Sequence, residues 1–196
     1  MPTKKPAEKA AAPKRRSPIS RAEGERRLIA AAKQLIQGKP YSEVGVREIG
    51  LLADVNHGFV HTWFGGKNEL LLAVLKEQLG ALAGQVSNAP PGGPVGNLMD
   101  PEVIAMVRLR MWLELEGVDT RGLFEANIVL DALTTRYIEV EKIDPSIARE
   151  TALQGISTAL GAAAFGPTAG WTAEDAAPVL KLWRHILKLL AEHPPT

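Results

Sequence analysis

Apolar residues recur at helical spacing along most of the chain. Leu28, Ala31, Ala32, Leu35 and Ile36 fall at i, i+3, i+4, i+7 and i+8, the pattern of one buried helical face. Ser20 stands ahead of this stripe with Glu23 three residues on, the spacing of a capping box, so a first helix is expected to begin there. Gly38 and Pro40 end it. "VREIGLLA", after Gly45, reads as a short second helix. Asp54-Val55-Asn56 interrupts the pattern, and Asp and Asn both tolerate the backbone of a tight turn. Asn56 can then cap a third helix running to about Phe64, before Gly65-Gly66 breaks the chain again. From Lys67, the residues Leu71, Val74, Leu75, Leu79 and Leu82 mark a longer amphipathic helix.

"NAPPGGPVGN", residues 88–97, reads as a linker. Residues 101–117 are apolar on most sides and predict a central, buried helix. Another helix is expected over 123–142. Asp144-Pro145 opens the next, with Pro at the first helical position, and it runs to about Phe165. Thr172 with Asp175 opens the last, whose buried face is expected to carry Val179, Leu180, Trp183, Leu187 and Leu190. Neither a strand pattern nor an internal repeat occurs, so the fold class is all-α.

Charge changes this picture. Residues 1–70 hold 13 Lys/Arg against 7 Asp/Glu, and residues 71–196 hold 10 against 15. A basic front on an acidic body suggests that the front meets a polyanion; the plainer alternative is a solubilising tail. Residues 1–18, "MPTKKPAEKAAAPKRRSP", show no apolar period and read as a disordered basic arm. The chain has no Cys, which excludes disulfides and thiolate metal sites. No apolar run reaches membrane-spanning length, and no apolar segment follows the basic start as in a secretory signal. A cytoplasmic protein without membrane contact is expected.

The stretch "LLADVNHGFVHTWFGGKNELL", residues 51–71, places polar, small and aromatic residues where a core helix has no use for them. Three short helices with a three-residue turn between the second and third make a helix-turn-helix. Ile49, Leu52, Val55, Val60 and Phe64 are suited to hold the two helices in a fixed crossing. Gly58 permits close backbone approach. Amides at the start of the following helix, beside Lys67, are suited to hold a phosphate.

Residues 26–75, about a quarter of the chain, resemble the DNA-binding domain of the TetR family of transcriptional regulators. The family pattern has an Ile-Ala pair, a Gly-Val turn, a small-residue start to the third helix, an aromatic pair ending in Phe, then Lys and Leu. This chain supplies Ile49-Gly50, Asp54-Val55, Asn56-His57-Gly58, Phe64, Lys67 and Leu70. It departs in having His61 for a common Tyr, Asp54 for the turn Gly, and Val44-Gly45 where Thr or Ser is frequent. The resemblance implies base reading by Arg47, Asn56, His57, Gly58 and Phe59, and phosphate contacts by His61, Thr62, Trp63 and Lys67. Phe59 has two readings: contact with a thymine methyl, or packing on the first helix. The resemblance also implies a homodimer on a double-stranded DNA operator and a C-terminal ligand-binding bundle.

Other chemistry reads weakly. His57 and His61 have a zinc-compatible spacing, but no third ligand is nearby. "GGKN" resembles the end of a P-loop without its first Gly, its strand or its Ser/Thr. No metal or cofactor is therefore expected. In the bundle, Arg108, Trp112, Phe124, Asn127 and Tyr137 are candidate ligand contacts, against the alternatives of solvated charge and plain core. Ala148, Ala152, Gly155, Ala159 and Ala163 share one helical face. Small residues allow close helix approach, either inside the chain or across a dimer seam. The expected seam takes Ala152, Gly155, Ala159 and Ala163 with Leu180, Trp183 and Leu187 of the last helix.

The combined expectation is an arm at 1–18, a helix-turn-helix domain at 19–66, and a helical ligand-binding and dimerisation domain at 67–196. The function is a DNA-binding regulator, a repressor freed from a palindromic operator by a small apolar effector. The alternatives are a DNA-binding factor without an effector and a helical enzyme. For the enzyme no nucleophile–base pair or metal constellation is found, so none is expected.

Overall fold

A computed structural model of the chain describes residues 19–91, 99–125 and 127–194. The expected basic arm lies outside these residues, as do the linker from residue 92 and the side chain of Phe124. No strand occurs among the described residues. The helices are α1 (Arg21–Gly38), α2 (Val46–Ala53), α3 (Lys67–Asn88), α4 (Pro101–Leu115), α5 (Gly122–Glu125), α6 (Ile128–Glu139), α7 (Pro145–Phe165) and α8 (Ala173–Glu192). Between α2 and α3 lies a π-helical turn, Val60–Phe64.

Local chemistry explains the ends. Ser20 accepts the Glu23 N–H at 3.2 Å, which is one half of the capping box. The Glu23 carboxylate turns instead to Arg27 and Arg26, whose hydrogen bonds hold its pKa below the ordinary carboxylate range. Asp144 caps α7 by accepting the Ser146 N–H at 2.8 Å, with Pro145 at the first helical position. The reciprocal Thr172–Asp175 box starts α8. The helix expected over 123–142 is split in two: Asn127, at ψ 64, leaves the helical region and heads α6.

Two cores form. The first gathers Leu28 and Ala32 of α1, Ile49 of α2, Val60, Leu70, Leu71 and Val74 of α3, and Leu109 and Leu113 of α4. The second joins Val86 near the end of α3 to Leu130, Leu133 and Tyr137 of α6, Ala148 and Ala152 of α7, and Leu187 of α8. Helix α3 therefore serves both, and each fully buried leucine contributes about 1.5–3 kcal/mol. A buried Arg136 on α6 donates to the Ala89 and Pro90 carbonyls just beyond α3 and pairs with Glu141 at 3.1 Å. A cation there offsets the negative end of the helix dipole.

Two burial expectations change. Helix α4 buries Met106, Val107, Leu109 and Leu113, but Met111 and Leu115 face solvent. Of the expected buried face of α8, Leu187 is buried, Val179 is exposed, and Leu180, Trp183 and Leu190 are half-buried. The cause is a cavity beneath α8, described below.

Candidate nucleic-acid interface and the cavity behind it

The helix-turn-helix is built around one close approach. A Cβ on Gly50 would lie 2.9 Å from the backbone of His57, so only glycine lets α2 and the following segment meet at this distance. Ile49, Ala53, Val55 and Val60 are buried at the crossing. Leu52, expected among them, is exposed; its neighbour Ala53 fills that place. Asp54 takes the left-handed conformation, φ 53, and its N–H returns to the Gly50 and Leu51 carbonyls. Asn56 then accepts the Gly58 N–H at 2.8 Å and caps the next segment. That segment widens into the π-helical turn and stops at Gly65, φ 103. Turns of this kind recur at functional sites.

Arg47, Asn56, His57, Gly58, His61 and Thr62 are all exposed. Arg47, Asn56 and His57 border one shallow groove together with Leu51. Thr62 donates to the Gly58 carbonyl at 3.2 Å, leaving its oxygen lone pairs as acceptors. Phe59 stacks on Trp63 with ring centres 4.2 Å apart and planes 4° from parallel. Trp63 in turn lies over Gly24 of α1, where a Cβ would come within 2.5 Å of the indole. Trp63 is thus a half-buried platform, and Phe59 remains partly exposed on top of it. Leu51, 84% exposed, was missed by sequence reasoning. The signal was its place two residues after buried Ile49, on the opposite side of α2.

Lys67, expected at a phosphate, is half-buried and engaged within the chain. Its ammonium donates to the Tyr41 carbonyl at 2.9 Å and lies 5.3 Å from the centre of the Trp112 ring. It is drawn inward by an acceptor and an aromatic face. The expected phosphate seat at the start of α3 also carries a carboxylate: Glu69 reaches within 2.8 Å of where a Gly66 Cβ would stand.

Behind this head lies an elongated cavity of about 820 Å³. Leu79, Leu82 and Val86 of α3, Val103 and Met106 of α4, Leu133 and Tyr137 of α6, Ile156 of α7 and Leu187 of α8 line it. Of the expected ligand contacts, Asn127 and Tyr137 are on its wall. Arg108 and Trp112 are not: Arg108 faces solvent, and Trp112 packs against Tyr41 with ring centres 5.6 Å apart. Arg110, two residues on and so on the other side of α4, is on the wall and pairs with Glu114 at 2.9 Å. Trp183 Nε1 donates to the Tyr137 hydroxyl at 3.0 Å. Burial holds the Tyr137 pKa above its ordinary value.

The residues expected at a dimer seam fall into two groups. Ala152 and Ala163 have no accessible surface, so they serve packing inside the chain and offer nothing to a partner. Gly155, Ala159, Leu180, Trp183 and Leu187 line the cavity. A Cβ on Gly155 would lie 3.3 Å from both the Trp183 ring and the Tyr137 hydroxyl. The outward side of α8 carries Leu182 and Leu189, both exposed. Among the described residues no helix is long and apolar enough to cross a membrane.

Residues 28–74 match the model of the tetR family of bacterial regulatory proteins. No curated protein matches the sequence. Among solved structures, the chain resembles the TetR family repressor AlkX from a Dietzia species, implicated in biodegradation of n-alkanes. The TM-score is 0.56 at 16% identity, covering 86% of this chain and 96% of that one. It also resembles the fatty acid degradation regulator FadR from Bacillus halodurans. There the TM-score is 0.50 at 15% identity, covering 91% and 96% of the two chains. At such identities the likeness is one of fold.

Proposed function

We propose that this member of the TetR family of bacterial regulatory proteins is a homodimeric repressor, released from a palindromic operator when a small, largely apolar molecule fills its cavity. Base reading falls to Arg47, Asn56, His57, Gly58 and Phe59, and phosphate contact to His61 and Thr62, all on exposed surface. Trp63 supports Phe59 from beneath.

The observation that carries the regulatory part is the position of α4. One side of this helix meets the DNA-binding head: Tyr41 donates to the Ala105 carbonyl at 3.1 Å, and Trp112 lies against both Tyr41 and Lys67. Its other side supplies Val103, Met106 and Arg110 to the cavity wall. A ligand that shifts α4 necessarily disturbs the seat of the head. For release, the ligand must bind the shifted arrangement better than the one that fits DNA.

Dimerisation supplies the second half-site, because one helix-turn-helix reads too few base pairs for useful specificity. Leu182, Ile186 and Leu189 recur at i, i+4 and i+7 on the open side of α8, and two of the three are exposed. A second copy of the same helix is a natural cover for such a stripe.

Selection of bound sequences from random DNA tests this reading. Two inverted half-sites are the expected result, and a single unrepeated half-site overturns the dimeric mode. A small-molecule thermal-shift screen without any response would favour a DNA-binding factor that takes no effector.

A further inference from the structure

We propose that the cavity takes one elongated amphipathic anion, a long-chain carboxylate, with its acid group between Lys142 and Lys188 and its chain running toward α4. This inference rests on the effector reading above and names the ligand class.

The shape comes first. The wall takes α6 from Ile128 to Tyr137 and continues into the turn after it at Val140, Glu141 and Lys142, and on α8 it runs from Val179 to Glu192. At ~1.5 Å per residue the α8 stretch spans about 20 Å, so the space is a channel along the helices rather than a round chamber. The Trp183–Tyr137 hydrogen bond sets α6 and α8 in register. Leu187, Leu190 and Ala191 near the end of α8 join one apolar cluster with Tyr137, Ile143 and Ala148 around the α6–α7 turn, which brings the ends of α6 and α8 together. Lys142 and Lys188, each five residues beyond that bond, therefore reach the same end.

That end is cationic. Lys142 and Lys188 line it together with Glu141 and Glu192, while Arg184 stands beside the Trp183–Tyr137 bond itself. Glu141 is taken by the buried Arg136 at 3.1 Å, and Glu192 meets Lys188 only at 3.7 Å. Positive charge is left over beside an apolar channel. Lys142 also holds a left-handed backbone, φ 61, which favours glycine. Its ammonium donates to the Glu139 carbonyl at 2.7 Å, which fixes its place and leaves further N–H donors. The left-handed backbone belongs to the turn that ends α6, where the Ile143 N–H returns to the Tyr137 carbonyl at 2.9 Å and so places Lys142 at the rim.

The opposite end is apolar. Leu79, Leu82, Val103, Met106 and Val129 line it, and its cation, Arg110, is paired with Glu114. A ligand with a charge at each end does not fit this polarity, and one with a single acid and an alkyl chain does.

The test titrates the full chain with tetradecanoate, tetradecan-1-ol and tetradecyltrimethylammonium, each below its micelle concentration. Tryptophan fluorescence is the readout, with Trp183→Phe to localise the signal. The carboxylate should bind at least about tenfold tighter than the alcohol, with the ammonium weakest. The double variant Lys142→Gln, Lys188→Gln should erase that preference while keeping the alcohol's affinity. Equal affinity for acid and alcohol, or a preference that survives the double variant, overturns the anion assignment and leaves an apolar effector standing. Failure of all three probes to bind also overturns it, and the separate thermal-shift screen then decides whether any effector exists.

Discussion

The Lys67 ammonium and the Trp112 ring, 5.3 Å apart, tie the start of α3 to α4 across the joint between the DNA-binding head and the bundle. The Tyr41 carbonyl, 2.9 Å from the same ammonium, completes the tie. Lys67→Met keeps the apolar stem and removes the charge. It should lower stability by about 1 kcal/mol in urea unfolding. It should leave the salt dependence of DNA binding unchanged. A log–log slope smaller by about one unit would instead return Lys67 to the duplex.

Gly50→Ala places a methyl 2.9 Å from the His57 backbone. The obstacle is backbone, which cannot swing aside as a flexible side chain can. The expected cost is about 1–3 kcal/mol in chemical denaturation, with operator affinity lost in parallel. A variant as stable as the parent would show that the head accommodates a wider crossing.

Phe59→Ala removes the upper ring of the stack on Trp63. Stability should fall by about 0.5–1.5 kcal/mol beyond the lost apolar area. If Phe59 meets a thymine methyl, sequence selection with the variant should relax at one position of each half-site. Unchanged preference at every position would leave Phe59 a packing residue alone.

Leu182→Glu and Gly155→Leu separate the two faces of the C-terminal helices. Leu182 is exposed on the open stripe of α8, so its replacement should give a monomer by light scattering with weak operator binding. Gly155 abuts Trp183 and Tyr137. Leucine there should leave the dimer intact, fill part of the cavity and blunt effector response. Loss of the dimer in Gly155→Leu alone would place the seam inside the present cavity.

Asp175 accepts from the Thr172 N–H at 2.7 Å and the Thr172 hydroxyl at 2.9 Å, and these bonds hold its pKa below the usual 3.8. A carboxyl with a depressed folded-state pKa stabilises fully above its unfolded value and loses that contribution as pH falls through the folded one. Hydrogen exchange at the start of α8 should therefore accelerate as pH is lowered below about 3.8, after correction for intrinsic rates. Asp175→Asn should flatten this dependence.

Features governed by near neighbours in the chain were readable before any coordinates. The stripe of Leu28, Ala31, Ala32 and Ile36 places α1, Asp54 makes its left-handed turn, Asn56 caps, and Thr172 with Asp175 starts α8. Each depends on residues within a few positions, where spacing and side-chain chemistry suffice. The family motif over 28–74 is local in the same sense. What each apolar or charged group finally meets is set elsewhere. A lysine after two glycines suits a phosphate until α4 brings Trp112 alongside it. The small residues of α7 signal close approach without naming the neighbour. Packing turns Ala152 and Ala163 inward and gives Gly155 to Trp183 and Tyr137. The stripe on α8 likewise asks for apolar cover, while the separation of α6 from α8 decides that one side faces a cavity. That separation is the sum of many long-range contacts, and no window of sequence contains it.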